Sequence, residues 1–193
     1  MVRAYLQDAV DASALDAILS AAHRGPSAGN TRSLDIVVLL GAEVDSYWDL
    51  TLGNERRPTF PWPGLLRAPV LLLAYVDPSA YVERYAEADK ARTGLGNGET
   101  AWPVPYWWVD GGAAVENVLL AAHGLDLGAC FFGQFDHEDA VRTRFGVPEG
   151  RRALGTIALG HPDPANDRQS QSAQRQAGSG HGNTYQGHWG AIR

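Results

Sequence analysis

A chain of 193 residues, 45% apolar and 20% charged, has the make-up of one globular domain of ordinary size, not of a disordered or collagen-like polymer. Its one cysteine, Cys130, excludes an intrachain disulfide and a cysteine-based zinc cluster. A formal net charge of −6 without a basic patch argues against nucleic acid as a partner, and no apolar run reaches the ~20 residues of a membrane span.

The first predicted element is a helix over Ala12–His23. Asp11 stands at its N-cap, and Leu15, Ile18, Leu19 and Ala22 fall on one face. Gly25-Pro26 ends it, because the residue before proline avoids helical geometry. Ile36–Leu40 is a short, continuous apolar run rich in β-branched residues, which predicts a strand buried on both faces. Val44–Leu52 suits a short helix, and the proline-rich stretch Asn54–Gly64 a loop. Val70–Val76 predicts a second buried strand. Ser79–Lys90 then predicts a polar helix carrying Tyr81 and Tyr85 one turn apart.

Thr93–Pro105 reads as a long Gly/Pro-rich loop, and Trp102 near its end clusters with Trp107 and Trp108 just beyond it. Val109–Ala122 is apolar almost all round, the signature of a helix covered on every side, in a core or at a subunit interface. Its polar members Asp110, Glu116 and Asn117 each need a partner or a solvent-facing position. Asp136–Phe145 suits a short helix and Ala153–Leu159 a third strand. Residues 161–193 form a polar Gly/Ser/Gln-rich extension of the single domain, suited either to disorder or to wrapping a partner subunit. Three or four strands among five helices predict an α/β or α+β domain.

Several motifs touch on chemistry. Gly25-Pro26-Ser27-Ala28-Gly29 matches the G-x-S-x-G pattern of a nucleophile elbow. Here a helix precedes and a strand follows, the reverse of what that motif requires. Small residues and a hydroxyl in such a turn instead suit close approach to a planar ligand or a phosphate. Gly94–Gly98 resembles a phosphate loop by composition only, and no P-loop is present. The histidines are scattered, so no metal site is expected. Cys130 between apolar neighbours reads as a core residue. Trp102, Trp107 and Trp108 suit the wall of a flat aromatic pocket or an interface anchor.

Four segments, taken in order, resemble the nitroreductase family of FMN-dependent oxidoreductases. They are Arg3-Ala4-Tyr5 leading into the first helix, the turn Pro26-Ser27-Ala28-Gly29-Asn30-Thr31-Arg32, the segment Val109–Cys130, and Phe145-Gly146-Val147-Pro148 with the following Gly155–Pro162. The resemblance implies an α+β fold: a three-layer α/β/α sandwich with a mixed, mostly antiparallel sheet, assembled as an interlocked homodimer. It implies an enzyme that binds FMN between subunits, takes hydride from NADH or NADPH and passes it to a small aromatic acceptor such as a nitroaromatic or quinone; the start Met1-Val2-Arg3-Ala4-Tyr5, without a charged-then-apolar pattern, makes a cytoplasmic protein the default expectation.

By the same resemblance Arg3 lies near the flavin, Pro26, Ser27, Ala28, Asn30 and Arg32 border it from the other subunit, and Phe132 and Gly133 present backbone to it. Arg168 or Arg175 serves the phosphate. No side chain is expected to act as catalytic acid or base, because the flavin carries the redox chemistry. The sequence departs from the family pattern in three ways: no Arg-Arg-Ser-like run precedes Arg3, Arg32 replaces a frequent Gln, and Phe132 replaces a frequent Glu. The first two motivate an alternative, a nitroreductase-like dimer that has lost catalysis and acts as a flavin-binding or flavin-free interaction protein.

Overall fold

The structure, a computed structural model, describes residues 1–168 and 184–190. Four strands form one sheet in the order β1-β2-β4-β3. They are β1 (Leu34–Leu40), β2 (Val70–Val76), β3 (Gly128–Phe132) and β4 (Arg152–Gly160), and all three pairings are antiparallel. The helices are α1 (Ala12–Ala22), α2 (Ala42–Thr51), α3 (Pro78–Ala86), α4 (Tyr106–Gly124) and α5 (Glu138–Arg144).

Alternation along the central strands makes the layers, since successive strand residues point to opposite faces. Leu71, Leu73 and Tyr75 of β2 pack with Tyr47 and Trp48 of α2 and Val141 of α5. Val70, Leu72 and Ala74 face the other way, onto Ile18 and Ala22 of α1 and Val115, Val118 and Ala122 of α4. The result is the three-layer α+β sandwich. At the end of the sheet, Val76, Tyr81, Trp102 and Trp107 form a third, aromatic cluster.

Local signals account for several boundaries. The Asp11 carboxylate accepts from the N–H groups of Ser13 and Ala14, closing the first turn of α1. Asp77 does the same for Ser79 at the start of α3, with Pro78 in the first turn, where its missing N–H does no harm. Burial alone would raise the Asp77 carboxyl, but the Ser79 hydroxyl and the Arg151 guanidinium outweigh it and hold it below the ordinary carboxylate range.

Several expectations change. The first strand packs on both faces, Val37 and Leu39 into one layer and Leu34, Ile36 and Val38 against the other, but it is an edge strand and only Leu39 within it is fully buried. The helix expected at Val109–Ala122 begins earlier, at Tyr106, because Trp107 finds burial in the aromatic cluster. That helix is also not covered all round within one chain: Val109 and Leu120 are 50% and 60% exposed on its outer face. The polar helix after β2 ends at Ala86 instead of reaching Lys90, and the loops at 54–64 and 93–105 contain short 3₁₀ turns. Strand β3 carries no β-branched residue and no alternating pattern, so only its pairing with β4 reveals it.

Residues 161–168 dock onto the N-terminal segment. Leu6 N–H donates to His161 O at 2.9 Å, Asp163 N–H to Ala4 O at 2.9 Å and Arg3 N–H to the Asp167 carboxylate at 3.1 Å. On its other side, Val2 N–H donates to Ala129 O of β3 at 3.0 Å. These bonds place Arg3 at the edge of the sheet. The expected wrapping extension falls largely outside the described residues.

Candidate active site: two separate clefts

The sheet edge at β3 opens into an apolar cleft of about 350 Å³, lined by Arg3, Trp48, Phe60, Trp62, Phe132 and Gly133 among others. That volume lies within the ~300–1,000 Å³ of small-molecule sites. Phe132 stacks on Trp48, ring centres 5.8 Å apart and planes 17° apart, so its side chain is tied to α2. The Arg3 guanidinium lies 5.4 Å from the Trp62 ring centre and has no carboxylate partner among the described residues.

Beneath the cleft runs a buried polar network. Tyr47 Oη and Thr156 Oγ1 are 2.9 Å apart, Gln134 Nε2 donates to Thr156 Oγ1 at 3.3 Å, and Tyr75 Oη donates to Gln134 Oε1 at 3.3 Å. It anchors the chain at Gln134, next to Gly133, and a satisfied buried network rigidifies what it holds. Burial pushes the Tyr47 phenol up to about 12 despite the Thr156 bond, so it stays neutral. Burial likewise raises the Cys130 thiol, against the opposing charges of Arg3 and the N-terminal ammonium; Cys130 is a core residue and not a nucleophile.

Gly133 has close quarters: a Cβ there would meet the Phe135 ring at 2.6 Å. Phe135 itself is 83% exposed at positive φ (44°), an uncommon conformation for a bulky residue. Trp48 Nε1 is buried and unpartnered, alone among the described residues.

A second cleft, of about 450 Å³, lies along the turn between α1 and β1. It is lined by Arg24, Pro26, Ser27, Asn30, Arg32, Tyr81 and Asp110 among others. Ser27 is extended (φ −140°, ψ 149°), and its hydroxyl caps nothing. Gly29 and Asn30 both take positive φ, 66° and 55°, which lets the turn reverse in two residues. Asp110 finds the partners its position demanded: Ala28 N–H at 2.7 Å and Tyr81 O–H at 2.8 Å. Of the other polar residues on α4, Asn117 Nδ2 donates to Ala21 O at 3.4 Å and Glu116 is exposed.

The residues expected to serve one site are therefore divided. Arg3, Phe132 and Gly133 line the aromatic cleft, while Pro26, Ser27, Asn30 and Arg32 line the other, with Ala28 in the same turn; the two clefts share no residue. Arg168 is exposed in a third groove with Arg67, which pairs with Asp163 at 2.8 Å. Arg175 lies outside the described residues.

Comparison with known proteins decides the family. The sequence profile of the nitroreductase family matches residues 1–161. The chain belongs to the nitroreductase family. A nitroreductase-family relative from Methanothermobacter thermautotrophicus, named there as a candidate NADH dehydrogenase/NAD(P)H nitroreductase, is 30% identical over 167 residues, 83% of this chain and 72% of its own. Another so named, from Archaeoglobus fulgidus, is 25% identical over 86% of this chain and 82% of its own.

Among solved structures, the nitroreductase CinD from Lactococcus lactis, known in complexes with nicotinic acid and with chloramphenicol, superposes with a TM-score of 0.69. It covers 91% of this chain and 92% of its own at 18% identity. An FMN-dependent nitroreductase from Clostridium difficile superposes with a TM-score of 0.63 over 95% and 94% of the two chains at 20% identity. At such identities the structural likeness speaks for the fold, and the family match makes the chain an oxidoreductase of nitroreductase type.

Within this nitroreductase fold, the sequence pattern missed Trp48, Trp62, Gln134 and Thr156. Each acts across the sheet or from a distant loop, which leaves no local signal. Asp110 did leave one, as a carboxylate on an otherwise apolar helix.

Proposed function

We propose that the protein is an FMN-dependent oxidoreductase that works as a homodimer, taking hydride from NADH or NADPH and giving it to a nitroaromatic, quinone or similar flat acceptor. The division of the expected residues between two clefts carries this reading. The aromatic cleft has flat walls, a cation in Arg3 without a carboxylate partner among the described residues, and a backbone at Gly133 without a side chain. The other cleft offers an unengaged Ser27 hydroxyl and the Asn30 side chain on a tight turn. Each is half of a site for a flat, anionic, hydrogen-bonding group, and a second copy of the chain supplies the missing half. The open apolar face of α4, with Val109 and Leu120 exposed, fits burial against such a copy.

The residues present fit FMN in kind. Trp48, Trp62 and Phe132 form apolar walls, Gly133 brings backbone close, and Arg3, with Arg168 in the neighbouring groove, supplies positive charge at the sheet edge. Arg67 also lies there, already neutralised by Asp163. FMN, when bound, supplies the two-electron redox chemistry. The chain's own part is to hold a flat ring between aromatic walls, exclude water and offer polar groups at its rim. Phe135, exposed beside Gly133, faces the mouth of the cleft, where a flat acceptor would stack.

The test is reconstitution of the purified full chain with FMN, followed by anaerobic addition of NADH and, separately, NADPH. About one FMN per chain, bleached by at least one donor, is the expected result. Retained flavin that neither donor bleaches supports the non-catalytic alternative, and failure to retain FMN overturns the flavin assignment.

A further inference from the structure

The Ser27–Asn30 turn is held from behind by two elements far away in sequence. A single oxygen of Asp110 on α4, Oδ2, accepts from Ala28 N–H at 2.7 Å and from Tyr81 O–H at 2.8 Å. From α3, Arg84 Nε donates to Gly29 O at 2.9 Å, and its two Nη atoms are themselves held by Asp89 at 2.8 and 2.9 Å. The Tyr85 ring fills the space behind Gly29, where a Cβ would come within 2.9 Å of it. The N–H of Ala28 and the C=O of Gly29 are thus both engaged on the inner side. Burial and the neighbouring Asp110 carboxylate push the Tyr81 phenol up, so it remains a hydrogen-bond donor.

We propose that Asp110 and Arg84 are positioning residues that clamp this turn, so that the Ser27 hydroxyl and the Asn30 side chain point outward to the flavin. The inference rests on the FMN reading given above. It also narrows that reading: Ala28 N–H is committed to Asp110 and does not donate to the ligand. Charge-assisted bonds of this length are among the stronger ones. A turn with two positive-φ residues has many alternatives to lose on ordering, so its preorganisation falls to these contacts. Asp110 lies on the same helix whose open face is proposed to meet the second subunit, so one helix supports both the turn and the assembly.

The experiment uses the full chain in two forms. In FMN-free protein, amide hydrogen exchange at Ala28 reports the clamp itself. It is expected to be protected in the wild type and to lose at least about tenfold of that protection in Asp110→Ala. FMN affinity, read by flavin fluorescence, is expected to weaken by at least about tenfold in Asp110→Ala and to return to within about threefold of wild type in Asp110→Asn. Asparagine retains one carbonyl oxygen to place where Oδ2 sits, so rescue separates position from charge.

Should Asp110→Ala fail to fold, Arg84→Met keeps the side-chain stem over Gly29 and removes only the bond to its carbonyl; FMN affinity about three- to tenfold weaker is then expected. Wild-type FMN affinity in folded Asp110→Ala or in Arg84→Met, or an unprotected Ala28 amide in the wild type, overturns the clamp alone. A wild-type chain that binds no FMN removes the underlying reading, and the flavin-facing role falls with it.

Discussion

Ser27→Trp is expected to weaken FMN binding at least about 100-fold, equivalent to about 2.7 kcal/mol, while leaving the thermal unfolding transition close to that of the wild type. Ser27 sits in extended backbone that any residue adopts, and its side chain caps no helix. An indole there meets no core packing, because the residue lines an open cleft. The cost to folding is therefore that of a surface substitution, about 0.5 kcal/mol or less. The cost to binding is that of filling the face the turn presents to a flat ligand. Fluorescence titration with FMN beside a melting curve checks both halves. Wild-type affinity in this variant would remove the turn from the site.

The second large effect concerns the fold. Gly155→Val is expected to lower unfolding stability by about 3 kcal/mol, a large fraction of the ~5–15 kcal/mol of a typical domain. Gly155 takes φ 149°, in a region L side chains rarely adopt. It stands in β4 opposite the irregularity between Ala74 and Tyr75 of β2, where the register shifts. A Cβ there would lie 2.5 Å from the Phe132 carbonyl oxygen and 2.7 Å from the Phe131 ring. The carbonyl belongs to backbone and cannot swing away as a side chain can. Relief must come from moving β3, the strand that leads into Gly133, so FMN affinity should fall together with the urea midpoint. An unchanged midpoint would show that the strands have room to part.

Much of the framework was legible because its causes are local. Asp11 at a cap and the spacing of Ile18 and Ala22 mark α1, and the run Val70–Val76 is a strand with every residue buried. These left the class at α/β or α+β, and the family resemblance implied α+β. What escaped depends on neighbours. β1 and β2 read alike as apolar runs, yet one lies at the edge and the other inside, and order in a sheet is not written in either strand. Tyr106–Trp108 follows two prolines and reads as loop, but burial of Trp107 extends α4 through it. β3 is Gly-Ala-Cys-Phe-Phe, with nothing to mark it before β4 lies beside it.

The site divides in the same way. The turn from Pro26 to Arg32 and the Phe132-Gly133 pair were found from their residues and from the family resemblance. The resemblance put the turn on the other subunit from Phe132 and Gly133; the residues alone carry no sign that they line separate clefts, which follows from where α1, β1 and β3 sit around the sheet. Asp110 was visible as a polar residue needing a partner, but its partner Ala28 is 82 positions away. Arg168 lines the adjoining groove, and Arg3 N–H is tied to Asp167 next to it, a proximity that no local pattern in the sequence marks.

The central claim is that two chains each contribute half of one flavin site. Complementation between two defective chains tests it most directly. Ser27→Trp damages one cleft, and Gly133→Val damages the other by displacing the exposed Phe135 ring. Differently tagged chains, one with each substitution, are co-expressed, and the mixed dimer is purified through both tags for measurement of its flavin content. If the site is shared across the dimer, the mixed species has one intact site, made from the undamaged half of each chain. It should hold about one FMN per dimer, while either homodimer holds none. A mixed dimer that also holds no FMN would mean that each chain builds its site alone, and would contradict the account.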